Sequence, residues 1–307
     1  MPELPEVEVV RSGLIPAVTD ARIVRVRVLD ERSLRRHPGP SEDFVERLTG
    51  AALHHPSRRG KYLWMPIAAA DEALVVHLGM SGQVLLRDPD AEVAKLTRIV
   101  LDLEQPGHGP VRLDFVDQRI FGSMAIDELV PAADRPEERI PASVAHIARD
   151  PLDPRFDERA FLDRLARRDT TIKRALLDQS LISGIGNIYA DEALWAARIH
   201  YDQPTRALSR ERARTLLAEV RAVLVKALGE GGTSFDAQYV NVNGASGYFS
   251  HSLNAYGQTG RPCPRCGTPI VRETFMNRGS HFCPRCQRIR MPRRDGADVQ
   301  HAPRAPR

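Results

Sequence analysis

The chain has 307 residues, enough for two domains with a sizeable core, and its 42% hydrophobic and 27% charged residues exclude a mostly disordered or fibrous protein. The formal charge of +4 is unevenly spread. Residues 1–150 carry −5 (19 basic, 24 acidic), residues 151–260 carry +1 (14, 13) and residues 261–307 carry +8 (11, 3), so a nucleic-acid partner or a solvated basic tail is implied.

From the N-terminus, Pro5, Glu6 and Glu8 suit the first turns of a helix over 5–17, with Val7, Val10 and Leu14 on one face. Val24, Val26 and Val28 alternate with Arg25 and Arg27, which predicts a half-buried strand over 22–28. Ser41 can cap a short helix through Leu48. Strand-like runs follow at 61–67, 74–78, 83–87, 97–103 and 111–116, so the first half reads as a β-sandwich or barrel with two helices. Five prolines in 131–154 predict a linker or irregular connection. Beyond it the pattern is helical: Phe161, Leu162 and Leu165 share a face, 171–179 and 187–197 flank a glycine-containing turn, and 210–228 is amphipathic, stopped by Gly229, Gly231 and Gly232. Residues 231–260 read as a loop and 291–307 as a disordered Arg/Pro-rich tail. No apolar run reaches the roughly 18 residues of a membrane span, and Met1-Pro2-Glu3 does not resemble a signal peptide, so a cytosolic protein without a membrane partner is expected.

Three groups of residues carry chemistry. Cys263-Pro-Arg-Cys266 and Cys283-Pro-Arg-Cys286 have the spacing of a tetrahedral zinc site. Four thiolates leave no open position, so one structural Zn2+ is expected rather than a catalytic one. The excursion 267–282 between the pairs reads as a β-hairpin whose tip presents Arg278. Gly184-Ile185-Gly186-Asn187-Ile188-Tyr189-Ala190 lies between two helices. It is either a capped turn or, through free N–H groups at the helix start, a phosphate seat. At the N-terminus, removal of Met1 would expose the secondary amine of Pro2. Such an amine has an ordinary pKa near 7.7–8.0 and can attack an electrophilic carbon, with Glu3 beside it as acid or base.

Together these residues resemble the bacterial formamidopyrimidine-DNA glycosylases of the family shared with endonuclease VIII. The likeness runs from Pro2-Glu3-Leu4-Pro5-Glu6-Val7-Glu8 through Arg59-Gly60-Lys61-Tyr62-Leu63, His77-Leu78-Gly79-Met80-Ser81-Gly82, Asp117-Gln118-Arg119-Ile120-Phe121-Gly122 and the Gly184 turn to the four cysteines, about residues 2–290. It implies an α+β architecture. An N-terminal β-sandwich flanked by helices (2–130) precedes a linker (131–154), a helix–two-turn–helix domain with a lesion-capping loop (155–260), a zinc-finger β-hairpin (261–290) and a basic tail (291–307). The implied function is a bifunctional glycosylase and abasic-site lyase that excises oxidised purines from damaged double-stranded DNA through a Schiff base at Pro2, followed by β,δ-elimination.

By the same resemblance Glu3 shuttles protons and Lys61 contacts phosphate near the lesion. Lys173, Asn187, Tyr189 and Arg278 belong to the DNA-binding set, and Met80, Arg119 and Phe121 fill the gap left by the everted base. Gly244, Ser246, Gly247 and Tyr248 correspond to the mobile lid. A monomer in the bacterial cytoplasm, associated with the nucleoid through DNA, is implied. Asp169 departs from the family by replacing a basic residue before Thr170-Thr171-Ile172-Lys173, and Gln118 and Ile120 depart around Arg119. Two alternatives are open: an endonuclease VIII-like enzyme for oxidised pyrimidines, against which Leu4 and the complete filler set speak, and a non-catalytic DNA-binding zinc protein, which would not need Pro2.

Overall fold

The computed structural model describes residues 2–107, 109–233, 242 and 249–291. Helix α1 (Leu4–Val18) begins with Pro5 in its first turn and a reciprocal capping box between Glu3 and Glu6. Strand β1 (Arg22–Val28) and helix α2 (Ser41–Leu48) follow. Ser41 is the first helical residue rather than the cap, a place taken by Pro40, and its hydroxyl donates to Glu31 at 2.8 Å. Next come β2 (Ser57–Arg59), β3 (Tyr62–Pro66), β4 (Glu72–His77), β5 (Gly82–Arg87), β6 (Thr97–Gln105), β7 (Gly109–Asp117), β8 (Ser123–Ala132) and β9 (Arg135–Pro141). They form two antiparallel sheets, one in the order β1-β6-β7-β5 and the other β2-β3-β4-β8-β9. Their inner faces and helices α1 and α2 share one core, with Val10, Leu14, Phe44, Leu63, Leu101 and Phe115 buried in it.

Two expectations change here. In β1 the buried residues are Ile23 and Val26, while Val24 is 47% exposed. A bulge between Ile23 and Arg25 resets the phase of the alternation. The proline-rich stretch 131–154 is not irregular at its start, because residues 131–141 lie largely in the β8–β9 hairpin. Proline fits there for a positional reason. β9 is an edge strand, and Pro131 lies past Glu128, the last β8 residue that pairs with β4.

The second half holds α3 (Glu158–Ala166), α4 (Ile172–Leu177), α5 (Asn187–Ala196) and α6 (Arg210–Gly229), then the hairpin β10 (Val271–Phe275) and β11 (Arg278–Phe282). Leu162, Ile172, Ile185, Leu194, Leu217 and Leu224 form its core, joined by Phe275 and Phe282 of the hairpin and by Leu4. Leu4 belongs to this core and Val7 to the sandwich core, so the first turn of α1 bridges the two halves. The residues of the expected lid and of the tail beyond Met291 lie outside the described residues.

Candidate active site

Pro2 is buried at the junction of the halves, one residue before Glu3, which caps α1. The backbone N–H of Leu4 donates to the Gly184 carbonyl at 2.9 Å, which ties the N-terminus to the α4–α5 turn. The Glu3 carboxylate then crosses to the start of α5. One oxygen accepts from the Gly186 N–H at 2.5 Å and the Tyr189 N–H at 3.4 Å, the other from the Ile188 N–H at 3.0 Å. The helix N-terminus that the sequence offered as a phosphate seat is therefore filled by an internal carboxylate. Glycine is required at this approach. A Cβ on Gly186 would lie 2.3 Å from Glu3 Cδ, and one on Gly184, at φ +87°, 2.6 Å from Leu4 Cδ1.

Burial pushes the Glu3 carboxyl above its ordinary value of 4.5, with Lys61 pulling it back. Lys61 donates to the Ile185 carbonyl at 2.9 Å, and burial pulls its ammonium below the usual lysine range while Glu3 opposes that shift. Glu6, which the sequence offered only as a helix-start residue, is fully engaged. It accepts from the Glu3 N–H at 2.8 Å, the Tyr189 hydroxyl at 2.6 Å and the Thr233 N–H at 2.7 Å. Tyr189 is 1% exposed, so it supports this corner from below rather than meeting DNA.

Lys61 opens onto a cleft of about 610 Å³, also lined by Arg168, Arg174, Met276 and Arg278. Arg278 is exposed as the first residue of β11. Its neighbour Gly279 is held through its carbonyl by Asn187 Nδ2 at 3.1 Å and Lys173 Nζ at 3.3 Å. Gly186 is the N-cap residue of α5, and Asn187 is its first helical residue. Lys173 is 0% exposed and pairs with Asp191 at 2.6 Å and Ser280 Oγ at 2.6 Å, so it is a buried anchor for the hairpin and is removed from the set of surface DNA contacts. A motif match identifies the residue type but not its exposure, and only the packing of α4 against the hairpin reveals this role. Asp169 is exposed and pairs with Arg206 at 3.4 Å.

The residues expected to replace the everted base lie on two loops of the sandwich, Met80 between β4 and β5 and Arg119 and Phe121 between β7 and β8. Met80 is 45% and Phe121 48% exposed, so both apolar side chains are open to solvent, and Arg119 is exposed beside them. His77, at the base of the Met80 loop, is held neutral. Burial and then the charges of Arg36, Lys61 and Arg35 pull its pKa down to about 4.

The four cysteine sulfurs lie within 4.8 Å of one another, with Cys266 3.5 Å from both Cys283 and Cys286. Thiolates 2.3 Å from a tetrahedral zinc would be about 3.8 Å apart, so the donor set fits one structural Zn2+ with no position left for a reactant. Trp195 of α5 donates its indole N–H to Cys263 at 3.5 Å.

Comparison with known proteins agrees with this arrangement. Residues 1–124 match the formamidopyrimidine-DNA glycosylase N-terminal domain, residues 147–238 the formamidopyrimidine-DNA glycosylase H2TH domain, and residues 260–289 a zinc finger found in FPG and IleRS. The formamidopyrimidine-DNA glycosylase of Leifsonia xyli subsp. xyli is 64% identical over 297 residues, covering 94% of this chain and all of the relative. That of Thermobifida fusca is 56% identical over 291 residues, covering 94% and 97%. Among solved structures, the Lactococcus lactis Fpg in complex with an abasic site containing DNA superposes with a TM-score of 0.78 at 32% identity, covering 93% of this chain and 99% of that one. A complex of a variant of that enzyme with a Fapy-dG containing DNA gives 0.79 at the same identity and coverage. The chain is an enzyme belonging to the formamidopyrimidine-DNA glycosylase family.

Proposed function

We propose that the chain is a bifunctional glycosylase and abasic-site lyase that excises oxidised purines, 8-oxoguanine and formamidopyrimidines, from duplex DNA. The observation that carries this reading is the seating of Pro2 and Glu3. The N-terminus is locked to α5 through Leu4 and the Glu3 carboxylate, and the Glu3 charge acts on Lys61, which lines a cleft together with Arg278. Once Met1 is removed, the Pro2 amine attacks C1′ of the damaged nucleotide. The glycosidic bond breaks with its electron pair on the departing base, and the sugar ring opens to an iminium. Glu3, whose buried carboxyl holds its proton more tightly than usual, delivers that proton to the ring oxygen. Loss of the C2′ proton then expels the 3′ phosphate, and a second elimination expels the 5′ phosphate.

Lys61, Asn187 and Arg278 grip the flanking phosphates, and Met80, Arg119 and Phe121 replace the everted base. Zn2+ on Cys263, Cys266, Cys283 and Cys286 keeps the hairpin folded and supplies no chemistry. One chain contains every residue this mechanism uses, consistent with a monomer working in the bacterial cytoplasm on the nucleoid.

Borohydride trapping on duplexes containing 8-oxoguanine opposite cytosine tests the reading. A covalent adduct at Pro2, absent when Pro2→Gly carries an extra N-terminal residue, is expected. Cleavage without a trappable adduct contradicts the mechanism, and faster excision of thymine glycol than of 8-oxoguanine contradicts the substrate class.

A further inference from the structure

We propose that Asp117 is a positioning residue that joins the two base-replacing loops into one preformed wedge, with Arg35 as a second clamp. The inference rests on the function proposed above. Met80 comes from the connection between β4 and β5, and Arg119 and Phe121 from that between β7 and β8. The last sheet pair is Gly82 with Asp117, and beyond it both loops leave the sheet. The Asp117 side chain takes over there. It is fully buried, and one carboxylate oxygen accepts from the Ser81 hydroxyl at 2.5 Å and the Arg119 N–H at 3.1 Å. Its other oxygen accepts from the Gly122 N–H at 2.7 Å. One side chain thus fixes the residue after Met80 and brackets Arg119–Phe121 from both ends.

Arg35 secures the same loop from the opposite side. Its guanidinium donates to the carbonyls of Ile120 at 2.6 Å and Gly122 at 3.1 Å, and to that of Phe121. Ile120 is held at φ +55°, a conformation a β-branched residue adopts only under constraint. The loops also touch through backbone. Gly79 sits at φ +62°, where a Cβ would meet the Phe121 carbonyl carbon at 2.3 Å. Met80 and Phe121 therefore project into solvent from a rigid base. The entropy of ordering them is lost on folding and not when DNA arrives, so invasion of the base stack is favoured.

Asparagine at 117 matches the shape but has a single acceptor oxygen. Whichever way it turns, its NH2 group faces an N–H donor of one arm. The test compares wild type, Asp117→Asn and Ser81→Ala in three measurements: single-turnover excision of 8-oxoguanine, 2-aminopurine fluorescence beside the lesion as a readout of eversion, and cleavage at a preformed abasic site, where no base has to be displaced. In Asp117→Asn, eversion and excision are expected to slow about tenfold while abasic cleavage stays within about twofold. Ser81→Ala, which keeps the carboxylate, is expected to show a smaller loss in the same direction. Equal losses on both substrates, or unchanged eversion in Asp117→Asn, overturn the proposal. A wild type that excises no oxidised purine overturns the function proposed above instead.

Discussion

Glu3 sits where a carboxylate is held in place and also discouraged from ionising. Three N–H groups at the start of α5 favour its charged form, while burial and the nearby Glu6 favour the protonated one, and burial dominates. A carboxyl held this way can carry a proton at a pH where an exposed glutamate has lost it. Because the folded pKa is raised, the protonated fraction falls as pH rises through it, and the excision rate should decline on that alkaline limb. Glu3→Gln keeps the shape but neither carries a transferable proton nor accepts with both oxygens. Excision should fall by about 100-fold or more, while binding to a duplex bearing an abasic analogue changes only a few-fold. Single-turnover excision and a gel-shift titration measure the two quantities. A Glu3→Gln enzyme within tenfold of wild-type excision would sink the assignment.

Helix α5 shows why some elements are legible in sequence and others are not. Ile188 through Trp195 are all buried, so the helix has no polar face and no amphipathic stripe to read. Its acids look solvent-directed in sequence yet act as internal hooks. Asp191 holds Lys173 and the His281 N–H, and Glu192 accepts from the N–H groups of Ala255 and Tyr256, each at 2.8 Å. The cysteine spacing, the long α6 and the five early strand runs were readable because each depends on local periodicity or ligand reach. The β8–β9 hairpin, the bulge in β1 and the burial of Lys173 and Tyr189 depend on partners far along the chain, which no local pattern encodes. The Lys173–Asp191 pair gives a test at this scale. Lys173→Met leaves Asp191 buried without its cation and should cost about 3–5 kcal/mol of stability, with zinc still bound one per chain. Adding Asp191→Asn should recover part of that loss. Calorimetry and zinc stoichiometry check this. Unchanged stability with weakened DNA binding would show instead that Lys173 meets phosphate directly.

Across the whole molecule, several carboxylates of the acidic first half are held in ion pairs at the junction. Glu138 pairs with Arg59 at 3.0 Å, Arg149 at 2.6 Å and Arg155 at 2.9 Å. Arg58 is the link closest to the site. It bonds Glu8 of α1 and Asp150 at 2.9 Å each, and donates to the Gly60 carbonyl at 2.8 Å, one residue before Lys61. Burial pushes Glu8 up, but Arg11 and Arg58 outweigh it and hold the carboxyl at about 2. A carboxylate depressed in the folded state stabilises the protein above its ordinary pKa of 4.5, and that contribution disappears as pH falls from there toward 2. For Glu8 the full shift corresponds to about 3 kcal/mol, which solvent screening of this partly exposed carboxylate reduces to about 1–2 kcal/mol. Arg58→Met should therefore lower stability at pH 7 and flatten its dependence on pH between about 4.5 and 3, since only Arg11 then remains to depress Glu8. It should also weaken binding of abasic-analogue duplex, because Gly60 and Lys61 lose their support. Urea unfolding at pH 7, 4.5 and 3 gives the slope. Parallel pH profiles for wild type and Arg58→Met would show that Arg58 does not hold Glu8 ionised and that the junction is secured elsewhere.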